Sequence, residues 1–120
     1  MPLRTKRIYD PPSPDDGFRL LIMRLWPRGI RKELTDAWDR GLAPSRELLA
    51  EFNAGTMDSP AYQQRFLHEM ATRPDSIDAL TSLKSLVDTQ TVTLLCSCKD
   101  ENRCHRRLVR ELIEAPPASP

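Results

Sequence analysis

Thr91-Val92-Thr93-Leu94-Leu95-Cys96-Ser97-Cys98-Lys99-Asp100-Glu101-Asn102-Arg103-Cys104-His105-Arg106 is the stretch on which the fold turns. Its first six residues are apolar and β-prone, with no alternation of polar positions, as in a strand covered on both faces. The strand ends in thiols. Asn102 is expected to cap a final helix that buries Leu108, Val109, Leu112 and Ile113. All three cysteines and one of the two histidines of the chain lie in this stretch. Thiolate, imidazole and guanidinium groups would therefore meet where the backbone N–H groups of a helix start are free.

Upstream, residues 18–26 read as a second near-continuous apolar strand, ended by Pro27 and Gly29, with Arg24 and Arg28 near its carboxyl end. Arg7-Ile8-Tyr9 reads as a short edge strand, because Pro11, Pro12 and Pro14 cannot continue a ladder. Asp15-Asp16-Gly17 is turn chemistry. Residues 37–42 fit either strand or helix. Ser45 is expected to cap a helix carrying Leu48, Leu49 and Phe52, closed by Gly55 in the left-handed conformation. Ser59-Pro60 resembles an N-cap followed by proline, ahead of a helix with a stripe of Tyr62, Phe66, Leu67 and Met70. Asp75 opens another helix, carrying Ile77, Leu80, Leu83, Leu86 and Val87. Strands interleaved with helices predict a single α/β domain over residues 1–115, with a small, at least partly parallel sheet flanked by helices. Residues 116–120 read as a disordered tail.

Composition narrows the function classes. The 120 residues carry a net charge of +1, which argues against bulk binding of a long polyanion. The basic residues Arg4, Lys6, Arg7, Arg28, Arg31 and Lys32 are interspersed with acidic ones, so a nucleic-acid signal is faint. No segment approaches the roughly 18 apolar residues that span a membrane, and no secretory signal is recognisable. Three clustered cysteines are not a disulfide framework, and a reducing cytoplasm is the expected location.

Within the opening stretch, Cys96 and Cys98 share a face of an extended chain. Cys104 and His105 are expected in the first turn of the last helix, with His105 on the buried stripe. His105 is read either as a core histidine bonded to a carbonyl or as a binding residue. The helix start and its cations should depress the Cys104 pKa. If the chain is an enzyme, Cys104 is the candidate nucleophile and His105 the candidate base. Cys96, Cys98, Cys104 and His105 are also donors suited to zinc. Their spacing lacks the paired knuckles of common structural sites, and adjacent helical residues point about 100° apart. No cofactor is expected on that basis, with zinc left as an alternative. There is no P-loop and no dinucleotide glycine pattern.

Two blocks carry a family resemblance. Lys6-Arg7-Ile8-Tyr9-Asp10-Pro11-Pro12-Ser13-Pro14-Asp15-Asp16-Gly17-Phe18-Arg19, continuing to Arg24-Leu25-Trp26-Pro27-Arg28-Gly29, resembles the YeaO-like branch of the domain-of-unknown-function 488 family, as does Leu42-Ala43-Pro44-Ser45. The last block is similar to the wider family at Cys96, Lys99, Asp100, Cys104, His105 and Arg106. The resemblance implies a compact α/β bacterial cytoplasmic domain and brings no established reaction. Met23 stands where the branch usually has Asp, and Cys98 where the wider family has Glu. Two carboxylates are lost and one thiol is gained.

The reading favoured by the sequence is an anion site for a phosphate- or carboxylate-bearing small molecule or a nucleic-acid end. Arg24, Arg28, Arg103, His105 and Arg106 would form it, with Cys96 and Cys104 beside it. The alternatives are a non-catalytic interaction or nucleic-acid-binding module, and a thiol redox or zinc protein. A concave pocket behind the last strand would favour the first reading; a flat basic rim would favour an interaction surface.

Overall fold

The computed structural model describes residues 3–55, 57–98 and 104–114. The expected Asn102 cap, Arg103 and the 116–120 tail lie outside the described residues. The order is β1 (Leu3–Arg7), β2 (Phe18–Leu21), β3 (Ala37–Trp38), α1 (Arg46–Asn53), α2 (Ser59–Thr72), α3 (Pro74–Thr89), β4 (Val92–Cys96) and α4 (His105–Glu114), with 3-10 turns at Pro14–Asp16, Lys32–Leu34 and Arg40–Leu42. Among the described residues the strands form one sheet in the order β1-β4-β2-β3. Every pairing in it is parallel. The architecture is α/β, as the interleaved pattern predicts.

β4 is the central strand, and all five of its residues are buried. Side chains alternate across it with period two. Val92 and Leu94, with Leu20 of β2 and Ile22 just after it, join Leu48, Tyr62, Phe66, Met70, Leu83, Leu108 and Val109 in the main core. That face carries the helices. On the other face Leu21, Leu95 and Ile8 are covered by Met23, Trp26, Ile30 and Trp38 from connecting segments. Trp26 and Trp38 pack edge to face at 5.3 Å, and their indole N–H groups donate to the Ile30 and Met23 carbonyls. Both tryptophans are packing residues.

Several boundaries differ from the sequence reading. β2 stops at Leu21, with one more ladder bond from Ile22 N–H to the Leu95 carbonyl at 3.0 Å. β4 ends at Cys96, so an extended chain beyond Ile22 has no partner there. Met23 and Trp26 instead fold over the second face. The edge strand runs over Leu3–Arg7, ahead of Ile8 and Tyr9. The ambiguous 37–42 segment is a two-residue strand followed by a 3-10 turn.

Helix starts follow local capping. Ser45 Oγ accepts from Leu48 N–H, and Gly55 has φ 76°. Asp58 rather than Ser59 caps α2, accepting from Ala61 N–H at 2.9 Å. A carboxylate one residue earlier supplies the same acceptor with a better match to the helix dipole. Leu67, Ile77 and Leu112 are partly exposed, so the apolar stripes are narrower than their sequence pattern suggests.

One buried polar group locks the amino end of β2. Asp16 accepts from Ser13 N–H and from Lys6, and pairs with the buried Arg19. Its carbonyl accepts from Thr93 Oγ1 at 2.7 Å, tying the turn before β2 to β4.

Candidate functional site

In a parallel sheet, ligands gather beyond the carboxyl ends of the strands. Here that edge is where β4 delivers Cys96 and where α4 begins. Cys96 lies on the helix-covered face with Leu94, and two residues on Cys98 faces the same way, as the strand period requires. Their sulfurs are 3.7 Å apart. His105 Nδ1 lies 3.8 Å from Cys96 Sγ and 3.9 Å from Cys104 Sγ. Its Nε2 bonds the Ile22 carbonyl, the first residue past β2. A carbonyl only accepts, so Nε2 carries the hydrogen and Nδ1 presents a lone pair to the sulfurs. Both sequence readings of His105 thus meet in one residue, anchored to a carbonyl on one side and facing thiols on the other.

The donor atoms of Cys96, Cys104 and His105 all lie within 4.8 Å of one another, and all three residues are buried. This Cys/His cluster is a donor set that can hold a metal ion. The expected divergence of Cys104 and His105 is absent. α4 begins at His105, so Cys104 sits just outside the helix and escapes the 100° rotation between helical neighbours.

The three sulfurs do not share charge equally. Hydrogen bonds from the Cys104 and Cys98 thiols, with Arg106 adding its charge, hold the Cys96 thiol well below its ordinary pKa despite burial. Cys104 moves the opposite way, pushed far up by the hydrogen bonds it gives to Cys96 and Cys98 and by burial. At Cys98 the contact with Cys104 pulls downward, but the Cys96 sulfur and burial outweigh it and the pKa rises. This corrects the expected depression at Cys104: proximity to a helix start is overridden by two sulfurs in contact. Burial keeps His105 neutral by lowering its pKa. Nearby, burial foremost, and then the cysteines, raise the Tyr62 pKa.

Arg106 is buried, with Nη1 on the Cys98 carbonyl at 2.9 Å. It therefore braces the backbone at Cys98. Arg107 and Arg110, farther along α4, are ion-paired to Glu111 and Glu114.

A cleft of about 260 Å³ opens over this floor. Cys96, Cys98 and His105 line its base, apolar residues including Leu49, Phe52 and Tyr62 its walls, and Arg24 its rim. Arg24 Nε donates to the Pro44 carbonyl at 3.0 Å and Nη2 to the Arg40 carbonyl at 3.1 Å, which fixes the guanidinium. Burial first, and then the charge of Arg73, weaken its hold on its proton, with Arg46 adding to the effect and Asp75 and Glu69 opposing it. Arg24 also lines an adjoining polar cleft of about 450 Å³ with Ser45, Arg46, Glu47, Arg65, Glu69 and Arg73.

Arg28 stands apart. It is exposed, its carbonyl accepts from Tyr9 Oη at 3.0 Å, and it lines neither cleft. Arg46 and Arg73 were not singled out by the sequence. Each sits at a helix start, beside Ser45 and before Pro74, and only tertiary folding brings them to Arg24.

No helix among the described residues is long and apolar enough to cross a membrane. No solved structure matches the chain. The chain is 32% identical over 117 residues to "Uncharacterized protein YeaO" of Escherichia coli (strain K12), covering 96% of this chain and 99% of that protein. It is 31% identical over 113 residues to "Uncharacterized protein Rv3073c" of Mycobacterium tuberculosis, covering 92% of each. A protein of Mycobacterium bovis, "Uncharacterized protein Mb3100c", is similar to the same extent. The family model described as "Active DUF488-N3 subclade" matches residues 3–116. Matched over nearly its whole length by that model and by these relatives, the chain belongs to the DUF488-N3 group of DUF488 proteins.

Proposed function

We propose that the chain binds a small phosphate- or carboxylate-bearing molecule, with the anionic group at Arg24 and the remainder in the cleft over Cys96 and His105. The observation that carries this reading is Arg24 itself. Two of its five N–H donors are held by carbonyls, and among the described residues it makes no ion pair. It stands on the rim of an apolar cleft, in a field to which Arg46 and Arg73 add positive charge and Glu69 and Asp75 negative charge. An anion there would relieve that field and gain charge-assisted hydrogen bonds.

The cleft is a little smaller than the usual ligand pocket, so the occupant is compact. The reactive groups it would meet are the sulfurs and imidazole of the floor. Concavity supports a small molecule over the flat basic rim that a partner protein or nucleic acid would use. Arg28 and Arg103, included in the sequence reading, do not enter this version; Arg106 contributes from behind the floor. Three free thiols among the described residues support residence in a reducing cytoplasm.

Calorimetric titration with inorganic phosphate and with small carboxylates tests the reading. Saturable binding by the native chain is expected, weakened about 10- to 100-fold in Arg24→Met, the range for losing one or two hydrogen bonds to a charged group. Arg28→Met should bind as the native chain does. Equal affinity in Arg24→Met and the native protein would refute it.

A further inference from the structure

We propose that Cys96, Cys98, Cys104 and His105 together form a tetrahedral centre for a thiophilic divalent metal ion of the zinc type. Zn–S bonds near 2.3 Å and Zn–N bonds near 2.0 Å at tetrahedral angles place ligand atoms about 3.5–3.8 Å apart. The separations here are 3.7 Å for Cys96 to Cys98, 3.8 Å for Cys96 to His105 and 3.9 Å for Cys104 to His105. Cys96, Cys104 and His105 therefore already converge within 4.8 Å of one another, and Cys98, beside Cys96, would turn in to complete the set.

The imidazole supplies an independent reason. A metal-binding histidine commonly donates its second ring N–H to a carbonyl or carboxylate, which fixes the tautomer and aims the lone pair. His105 does this through Nε2 and the Ile22 carbonyl, and Nδ1 points at two sulfurs. The carbonyl belongs to the residue that ends the β2–β4 ladder, so the ring is held by the sheet rather than by a loop.

Charge is consistent with the donor set. Three thiolates and one divalent ion leave a net charge of −1. The buried Arg106 guanidinium is bound to the Cys98 carbonyl, and its Nε has no partner among the described residues. Three sulfurs and one nitrogen favour zinc over magnesium or calcium, which prefer oxygen. Cys96, Cys98 and His105 also line the cleft, which gives the ion a path from solvent. This inference rests on the donor atoms and does not depend on anion binding at Arg24.

The test is titration of the full-length, reduced, chelator-stripped chain with Co²⁺, followed by displacement with Zn²⁺. One equivalent of cobalt should give tetrahedral visible bands and a thiolate-to-cobalt band in the near ultraviolet, both lost when zinc is added. Cys98→Ser, which alters a half-buried residue, should lower the thiolate band by roughly a third while keeping one equivalent bound. In the zinc form all three thiols should resist a thiol reagent and become reactive again with chelator. Arg24→Met should give the full cobalt spectrum, so failure of the anion reading would be distinguishable from failure of this one. A featureless or octahedral cobalt spectrum in the native chain would overturn the proposal. So would thiol reactivity that is the same with and without zinc.

Discussion

His105 is tied through Nε2 to the backbone carbonyl of Ile22, across 83 positions of sequence. This bond joins the start of α4 to the end of β2 and sets which way the ring faces. On the ring's other side, Nδ1 meets the sulfurs of Cys96 and Cys104. One hydrogen bond thus determines both a packing contact and the orientation of a reactive group.

Replacing His105 with Leu leaves the Ile22 carbonyl buried without a donor. The expected loss is about 2 kcal/mol, from the unsatisfied acceptor and the altered packing against Phe66. His105→Gln, which keeps a donor of similar reach, should lose less. Urea unfolding with reductant and chelator present measures both, so that any bound metal does not enter the difference.

Asp16 gives the fold a predictable acid limit. Burial pushes its pKa upward, but hydrogen bonds from Ser13 N–H, Lys6 and Arg19, with the Lys6 charge, outweigh it and bring the pKa below 3.8. Because the folded pKa is depressed, the stabilisation is fully present above the unfolded value and disappears as pH falls through the folded one. Asp16→Asn should cost about 3 kcal/mol at pH 7, since it leaves Arg19 buried beside a neutral group. The gap to the native chain should narrow as pH drops below 3.8. Denaturation midpoints across that range check it; a gap that does not change with pH would contradict it.

Gly17 and Gly29 both have positive φ, 63° and 80°, but only one is crowded. A Cβ on Gly17 would stand 2.3 Å from the Thr91 carbonyl oxygen, whereas one on Gly29 meets nothing within 4 Å. Thr91 O also accepts from Phe18 N–H at 2.9 Å, so it cannot retreat without loosening β2 from β4. Gly29→Ala should cost about 1 kcal/mol, the ordinary penalty for a side chain at positive φ. Gly17→Ala should cost several times that. Thermal denaturation of the two variants side by side would show it.

Much of this architecture is legible in the residues. The unbroken run 92–96 announces a strand buried on both faces, and β4 is one. Ser45 and Gly55 bracket α1 because caps depend on neighbours in sequence. The pairing of Cys96 with Cys98 follows from the strand period alone. The end of β2 is not legible, because it depends on where β4 stops offering a partner. The meeting of Cys104 and His105 depends on the helix starting at His105, two residues later than an Asn102 cap implies. Arg46 and Arg73 reach Arg24 only through the packing of α1 and α2 on the sheet, which no local pattern encodes.

Arg24 is proposed to receive an anion at the mouth of the cleft. Nitrogen-15 NMR of the arginine Nε–H signals during a phosphate titration tests it at the atom concerned. The Arg24 signal, assigned by its loss in Arg24→Met, should shift to saturation while the Arg28 signal stays in place. A stationary Arg24 signal, or uniform small shifts across all arginines that never saturate, would contradict it.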